Sequence, residues 1–206
     1  MKYAKGLREH FGNRAVFTSR DVALYFSQEK LGGAYRNLLL HNLIKRGELR
    51  QVKKGAYTFG NEITCVGFAY PPFYYGLQDA LSMHGLWEQE TNPVVITPRK
   101  VRQGLRQCGG RNYLVRRISR GMFFGFAQAR HGGMSVPVSD IEKTLIDFFH
   151  FRERLEPGAL GEIKKRIDRK RLDGYLEKCP RRLQAIVRGA LADPGKMKRL
   201  GEKGRV

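Results

Sequence analysis

An α+β fold is what this sequence predicts, and three observations carry it. Stretches with apolar residues at helical spacing are interspersed with short runs rich in β-branched and aromatic residues. Glycine-containing turn signals separate them, at Gly12-Asn13, Lys54-Gly55, Gly109-Gly110 and Gly132-Gly133. Apolar residues make up 41% of the 206, which supplies a packed core and excludes wholesale disorder. The longest apolar stretch, Cys65 to Leu77, contains Pro71-Pro72 and falls short of the about 20 residues that a transmembrane helix needs.

The first helix is expected over Tyr3 to Phe11, with Tyr3, Leu7 and Phe11 on one face and Gly12-Asn13 as its stop. Ala15-Val16-Phe17 is a short extended piece. Thr18 is placed to cap the next helix, Ser19 to Phe26, with Asp21 as the acid of a capping box and Val22, Ala23 and Phe26 turned inward. A second helix is expected from about Gly33 to Arg46, closed by Gly47. Leu40, Leu43 and Ile44 form its inner side; Leu38 and Leu39 leave one leucine to be shielded by a second domain or to lie near DNA. Two alternating runs, Leu49–Val52 and Ala56–Phe59, flank Lys53-Lys54-Gly55 and predict a β-hairpin with a basic tip.

Helix, helix, turn, helix and basic hairpin is the order of a winged helix-turn-helix. In that motif the second helix of the pair enters the major groove, while the hairpin carries cations to a neighbouring phosphate. The residues this assigns to DNA are Arg20, Tyr35, Arg36, His41, Asn42, Lys45, Arg46, Arg50, Lys53 and Lys54. Arg36 is suited to guanine and Asn42 to adenine, as bidentate partners.

Gly60-Asn61-Glu62 marks a boundary, giving a DNA-binding domain at 1–62, an α+β domain at 63–195 that is helical from about 139, and a basic flexible tail at 196–206. In the second domain a helix is expected over Phe73 to His84, then strands at Pro93–Thr97, Asn112–Ile118, Met122–Phe126 and Met134–Val138. Ser139-Asp140-Ile141-Glu142 reads as a capping box opening a helix to about Arg152, with Ile141, Leu145, Phe148 and Phe149 inward. Helices are expected at Gly158–Ile167, Arg171–Lys178 and Arg181–Ala192.

The formal charge is +20, shared as +7 over residues 1–62, +4 over 63–150 and +9 over 151–206. Positive charge spread along the chain points to a polyanion, with double-stranded DNA the expected partner. No basic helix has a clean aromatic face, so no membrane partner is expected. The N-terminal Lys2, Lys5 and Arg8 have no apolar run behind them, which reads as cytoplasmic. Three scattered cysteines, Cys65, Cys108 and Cys179, predict neither a disulfide framework nor a paired-cysteine zinc site, and no cofactor is expected.

Three segments carry a family resemblance. Phe73-Tyr74-Tyr75-Gly76-Leu77-Gln78-Asp79-Ala80-Leu81-Ser82-Met83-His84-Gly85-Leu86 ends in an A-L-x-x-H-G-L pattern. Met122-Phe123-Phe124-Gly125-Phe126 has the form F-F-G-aromatic, and Val138-Ser139-Asp140-Ile141-Glu142-Lys143-Thr144-Leu145-Ile146-Asp147 the form of an E-K-T-L-I-D helix start. In this order, behind the wing Lys53-Lys54-Gly55-Ala56-Tyr57, the chain resembles the AbiEi antitoxin family of transcriptional regulators of viral defence systems, over roughly residues 15–155. The resemblance implies a repressor that binds promoter repeats through its winged helix. It also implies a second domain that counters a nucleotidyltransferase-like toxin, in many members without a stable complex.

Two competing readings are a metal-dependent nuclease targeted by a winged helix, and an RNA-binding module. The nuclease reading has Asp140, Glu142, Lys143 and Asp147, or Glu162-Ile163-Lys164, as candidates. Two-metal chemistry needs convergent carboxylates, which the spacing does not place. His84, at a helix end before Gly85, has no partner at catalytic spacing. Neither glycine pair is followed by the Lys-Ser/Thr of a phosphate loop. The chain is therefore not expected to be an enzyme.

Overall fold

The computed structural model describes residues 2–29 and 31–192, and the basic tail expected at 196–206 lies outside them. The class is α+β. Helix α1 (Lys2–Phe11) leads through strand β1 (Phe17–Thr18) into α2 (Ser19–Tyr25), α3 (Gly33–Lys45) and the hairpin β2 (Arg50–Lys53) and β3 (Ala56–Thr58). The three strands form one antiparallel sheet in the order β1-β3-β2. Thr18 caps α2 as expected, its hydroxyl accepting from the Asp21 N–H while the Asp21 carboxylate accepts from the Thr18 N–H. That hydroxyl hydrogen bond holds the Asp21 carboxyl below its usual range. Leu7, Phe11, Phe17, Val22, Leu39, Leu40, Leu43 and Tyr57 close a small core. Of the three consecutive leucines, Leu39 and Leu40 are therefore both inside, and Leu38 is 54% exposed.

The second region is a six-stranded sheet in the order β6-β7-β5-β4-β9-β8. Its strands are β4 (Tyr74–Tyr75), β5 (Val94–Thr97), β6 (Gly104–Cys108), β7 (Arg111–Arg117), β8 (Phe126–His131) and β9 (Met134–Ser139). One face carries α4 (Leu77–Met83), α5 (Ile141–Phe151), α6 (Pro157–Arg166), α7 (Arg169–Leu176) and α8 (Arg181–Ala192). The other carries the 3-10 segment Ile63–Ala69 and the inner face of the β2–β3 hairpin. Side chains alternate accordingly: Tyr74, Val94 and Ile96 face the helices, and Tyr75, Val95 and Val115 face the hairpin layer. With both faces covered, β5 is buried throughout, as its unbroken apolar run requires.

Four expectations in this region need correction, and one strand comes without an expectation. Phe73–Tyr75 is not helical. Tyr74 and Tyr75 form a strand between β5 and β9, where aromatic residues fit the two covered faces, and the helix begins only at Leu77. Gly76 makes the crossing possible, since a Cβ there would sit 2.4 Å from Ile96 Cδ1. Met122–Phe126 is not a strand either: a 3-10 turn at Arg120–Met122 precedes a strand that starts at Phe126.

The capping box at Ser139 and Glu142 does not form. Ser139 is still in β9, bonded to the Tyr75 carbonyl (3.3 Å) and the Thr144 hydroxyl (2.7 Å), so Asp140 caps α5 through the Lys143 N–H (2.8 Å). Helix α7 starts two residues before the expected Arg171, because Asp168 caps it by accepting from the Arg171 N–H. The strand β6, for which no element was expected, is an edge strand with its Leu105 63% exposed, and its polar sequence carries no alternation of the expected kind.

The hairpin joins the two regions. Tyr57 belongs to the N-terminal core while Val52 and Ala56 belong to the hairpin-side core of the large sheet. The Tyr113 hydroxyl donates to the Val52 carbonyl (2.6 Å) and accepts from Tyr70 (3.0 Å). The boundary at 60–62 is thus a short connection between packed layers.

Candidate nucleic-acid interface

Helix α3 turns about 100° per residue, so positions 34, 38, 41 and 45 share one line along it. Those residues are Ala34, Leu38, His41 and Lys45, all exposed, with Asn37 exposed beside them. Opposite lie the buried Leu39, Leu40 and Leu43. Tyr35 sits at the margin, 43% exposed, its ring edge-on to Tyr3 at 5.9 Å. Asn42 is half-buried, and Arg46 is the exposed C-cap residue.

Arg36 does not lie on this line. It is half-buried, and its guanidinium donates to the Leu31 carbonyl in the loop before its own helix. The exposed amide nearest the start of the helix is therefore Asn37, which the sequence reading left out. The helical step that placed Lys45 outward would have found it.

The hairpin tip is tied to the start of α2. The Ser19 N–H donates to the Gly55 carbonyl (3.0 Å), and Gly55 has a φ of +74°, a conformation open to glycine. Exposed Lys54 thereby stands at the same end as exposed Arg20, in the first turn of α2. Arg20, Lys45, Arg46 and Lys54 make no ion pair among the described residues. A phosphate would meet these cations without displacing a carboxylate.

Arg50 and Lys53 turn the other way. A bulge shifts the β2–β3 register between Gln51 and Lys53, and such bulges re-aim side chains. Lys53 Nζ lies 4.4 Å from the centre of the Tyr70 ring, and Arg50 donates to the Asn61 carbonyl (3.0 Å) and packs on Gly109. Of the ten residues first assigned to DNA, the structure groups Arg20 with Lys54 at the tip and sets His41 and Lys45 on the α3 line. Arg36, Arg50 and Lys53 lean inward.

The residues weighed as catalytic are engaged in the fold. Lys143 and Asp147 form an ion pair with both side chains fully buried, and the Tyr74 hydroxyl donates to the other Asp147 oxygen (2.8 Å). Burial pushes the Asp147 carboxyl up, against the pull of Lys143. Glu142 accepts from the Asp168 N–H (2.7 Å), and the Asp140 oxygen not used for capping accepts from Tyr175 (2.7 Å). His84 Nε2 donates to the Ser139 carbonyl (2.7 Å). Glu162 pairs with Lys165 on the surface of α6, while Ile163 between Glu162 and Lys164 is buried. Among the described residues no cluster of three or more His, Cys, Asp or Glu has the geometry to hold a metal ion. No helix among them is long and apolar enough to cross a membrane.

The three segments behind the family resemblance meet around Lys143. Its ammonium lies 5.1 Å from the centre of the Phe124 ring and 5.4 Å from that of Tyr74. A Cβ on Gly125 would sit 2.8 Å from Lys143 Cβ, and Gly125 has a φ of +71°. The glycine of the F-F-G pattern is thus fitted to the lysine of the E-K-T-L-I-D pattern. No family model matches the chain, and a search of curated proteins finds no match either.

Proposed function

We propose that this chain is a double-stranded-DNA-binding repressor whose residues 1–62 form a winged helix-turn-helix. The observation that carries the reading is the pairing of two features. One is the outer line of α3, with Asn37, His41 and Lys45 exposed over a leucine underside. The other is a basic tip, Lys54, bonded through Gly55 to the start of α2 beside Arg20. In this reading α3 lies in the major groove, Asn37 and His41 meet base edges, and Arg20, Lys45 and Lys54 meet phosphates. The +20 charge supplies the long-range attraction.

The second region carries the antitoxin half of the proposal. The resemblance to AbiEi antitoxins supports it, and so does the convergence of the three resembling segments on Lys143. In this reading residues 63–192 counter a nucleotidyltransferase-like toxin, and the same chain represses its own promoter.

Fluorescence anisotropy on labelled duplexes tests the DNA half. The expected result is tighter binding to the DNA upstream of the chain's own gene than to scrambled duplex or duplex RNA, with the DNA left intact in Mg²⁺ or Mn²⁺. Preference for RNA, or metal-dependent cleavage, would replace this reading with one of its competitors. Growth rescue by the full chain, with and without the substitutions Arg20→Gln/Lys45→Gln/Lys54→Gln, in cells expressing a nucleotidyltransferase-like gene that neighbours its own tests the antitoxin half: rescue by both is expected, and rescue by neither would overturn it.

A further inference from the structure

The seam between the β2–β3 hairpin and the large sheet collects cations from both regions. Arg50 and Lys53 come from β2, Arg106 from β6, and Arg99 from the segment after β5. None of the four forms an ion pair with a described carboxylate. Their fixed contacts are to backbone carbonyls and a ring: Arg50 to Asn61 (3.0 Å), Arg99 to Pro71 (3.1 Å), Arg106 to Arg102 (2.5 Å) and Lys53 to the Tyr70 face.

Bringing like charges together costs free energy, and the cost is visible here. Burial, then the charges of Arg99 and Arg106, hold the Lys53 ammonium below its usual pKa. Arg106 Nε is buried with no acceptor among the described residues, although a buried orphan donor typically costs about 1–3 kcal/mol. Arg99 also lines an open groove of about 620 Å³ with Arg120, Phe123, Pro71, Pro72 and Pro98, and no carboxylate is among its lining residues. A cluster of donors with no acid paired to it among the described residues, opening into a groove whose described lining holds no acid, is electrostatically complementary to a polyanion.

We infer that Lys53, Arg99 and Arg106 form a second phosphate-binding site, which makes the large sheet part of the DNA-binding surface. This rests on the reading of the chain as a duplex-DNA binder. Lys54 and Lys53 belong to the same hairpin but face opposite ways, Lys54 toward the start of α2 and Lys53 toward Tyr70, so the seam is a phosphate site apart from the tip, and Arg99 extends it into the groove that Arg120 also lines. The bulge at Val52 is what directs Lys53 to this seam. The site grips phosphate without reading bases, and it lengthens the footprint beyond what α3 and the tip cover.

The test is the salt dependence of duplex binding by full-length Arg99→Gln, Arg99→Gln/Arg106→Gln and Lys54→Gln. Each neutralised phosphate contact contributes about 0.9 to the log–log slope. The expected result is a slope flatter by about 0.9 for Arg99→Gln and about 1.8 for the double variant. The loss should be equal on specific and random DNA, and the nuclease footprint should shorten on one side. Arg99 is exposed, so its single substitution keeps the test valid even if the double variant folds poorly. An unchanged slope for Arg99→Gln, alongside a flattened slope for Lys54→Gln, overturns the seam site and leaves the DNA-binding proposal standing. Unchanged slopes for both overturn the two together.

Discussion

Helices α3 and α5 carry similar residue types to opposite ends. On α3 the polar and basic residues Asn37, His41 and Lys45 point outward from a leucine floor, and Lys45 has no described ion-pair partner. On α5 the charged residues Glu142, Lys143 and Asp147 all point inward, each with a partner. The difference lies in what surrounds each helix. Helix α3 has the small N-terminal core on one side only, so its polar residues face outward. Helix α5 is packed against α4, α6, α7, α8 and the sheet, so even its charged positions are enclosed. Charge on a helix marks a ligand surface only where the helix has an unpacked side. An enclosed charge must instead be paired.

Breaking the pair on α5 is the largest expected effect. Lys143→Ala strips the cation from a buried carboxylate and is expected to cost about 3–5 kcal/mol, measured by urea unfolding. Lys45→Ala, on the exposed line of α3, is expected to shift stability by less than about 0.5 kcal/mol in the same assay. Equal losses would erase the distinction between the two helices.

A third case sharpens it. Asp79 on α4 is buried and accepts from the Val94 N–H (3.2 Å), and burial raises its pKa to about 7. An unfolded Asp titrates near about 3.9. Between these values the native state holds a proton that the unfolded state has lost. The stability that this proton confers is full below about pH 4 and is lost as the pH rises through about 7. The expected slope is a fall of up to about 1.4 kcal/mol per pH unit in that window. Urea midpoints from pH 4 to 8 should show it, and Asp79→Asn, which keeps an acceptor for Val94, should flatten it.

Smaller effects separate reading from folding. Asn37→Ala is expected to cost about 1–3 kcal/mol on the specific duplex and little on random DNA, by competition anisotropy. Equal loss on both would move Asn37 off the bases. Asp140→Ala is expected to cost about 0.5–2 kcal/mol of stability by removing the cap of α5, with DNA affinity unchanged at temperatures where the chain stays folded.

The N-terminal half was the more legible in sequence because its signals are local. The Thr18–Asp21 box, the Gly47 stop and the Gly55 tip each depend on residues a few positions apart, and all formed where expected. What was missed there needed the third dimension. Arg36 folds back on Leu31, and Lys53 turns at a bulge toward a ring seventeen positions on. In the second half the strand at Tyr74–Tyr75 exists because β5 and β9 flank it, and nothing within four residues announces that. Ser139 looked like a cap, but β9 extends through it and commits its hydroxyl to Tyr75 and Thr144. Lys143 and Asp147 stand one turn apart in sequence, but only the helices packed around α5 bury them together as a pair.

The salt dependence of duplex binding by the wild-type chain and by Arg20→Gln/Lys45→Gln/Lys54→Gln tests the central claim most directly. The outer cations of α2, α3 and the tip should account for a large part of a steep wild-type slope. Removing three of them is expected to flatten it by about 2.7 while the unfolding midpoint stays within experimental error. A slope unchanged by the triple substitution, in a variant as stable as the wild type, would show that this surface does not hold DNA.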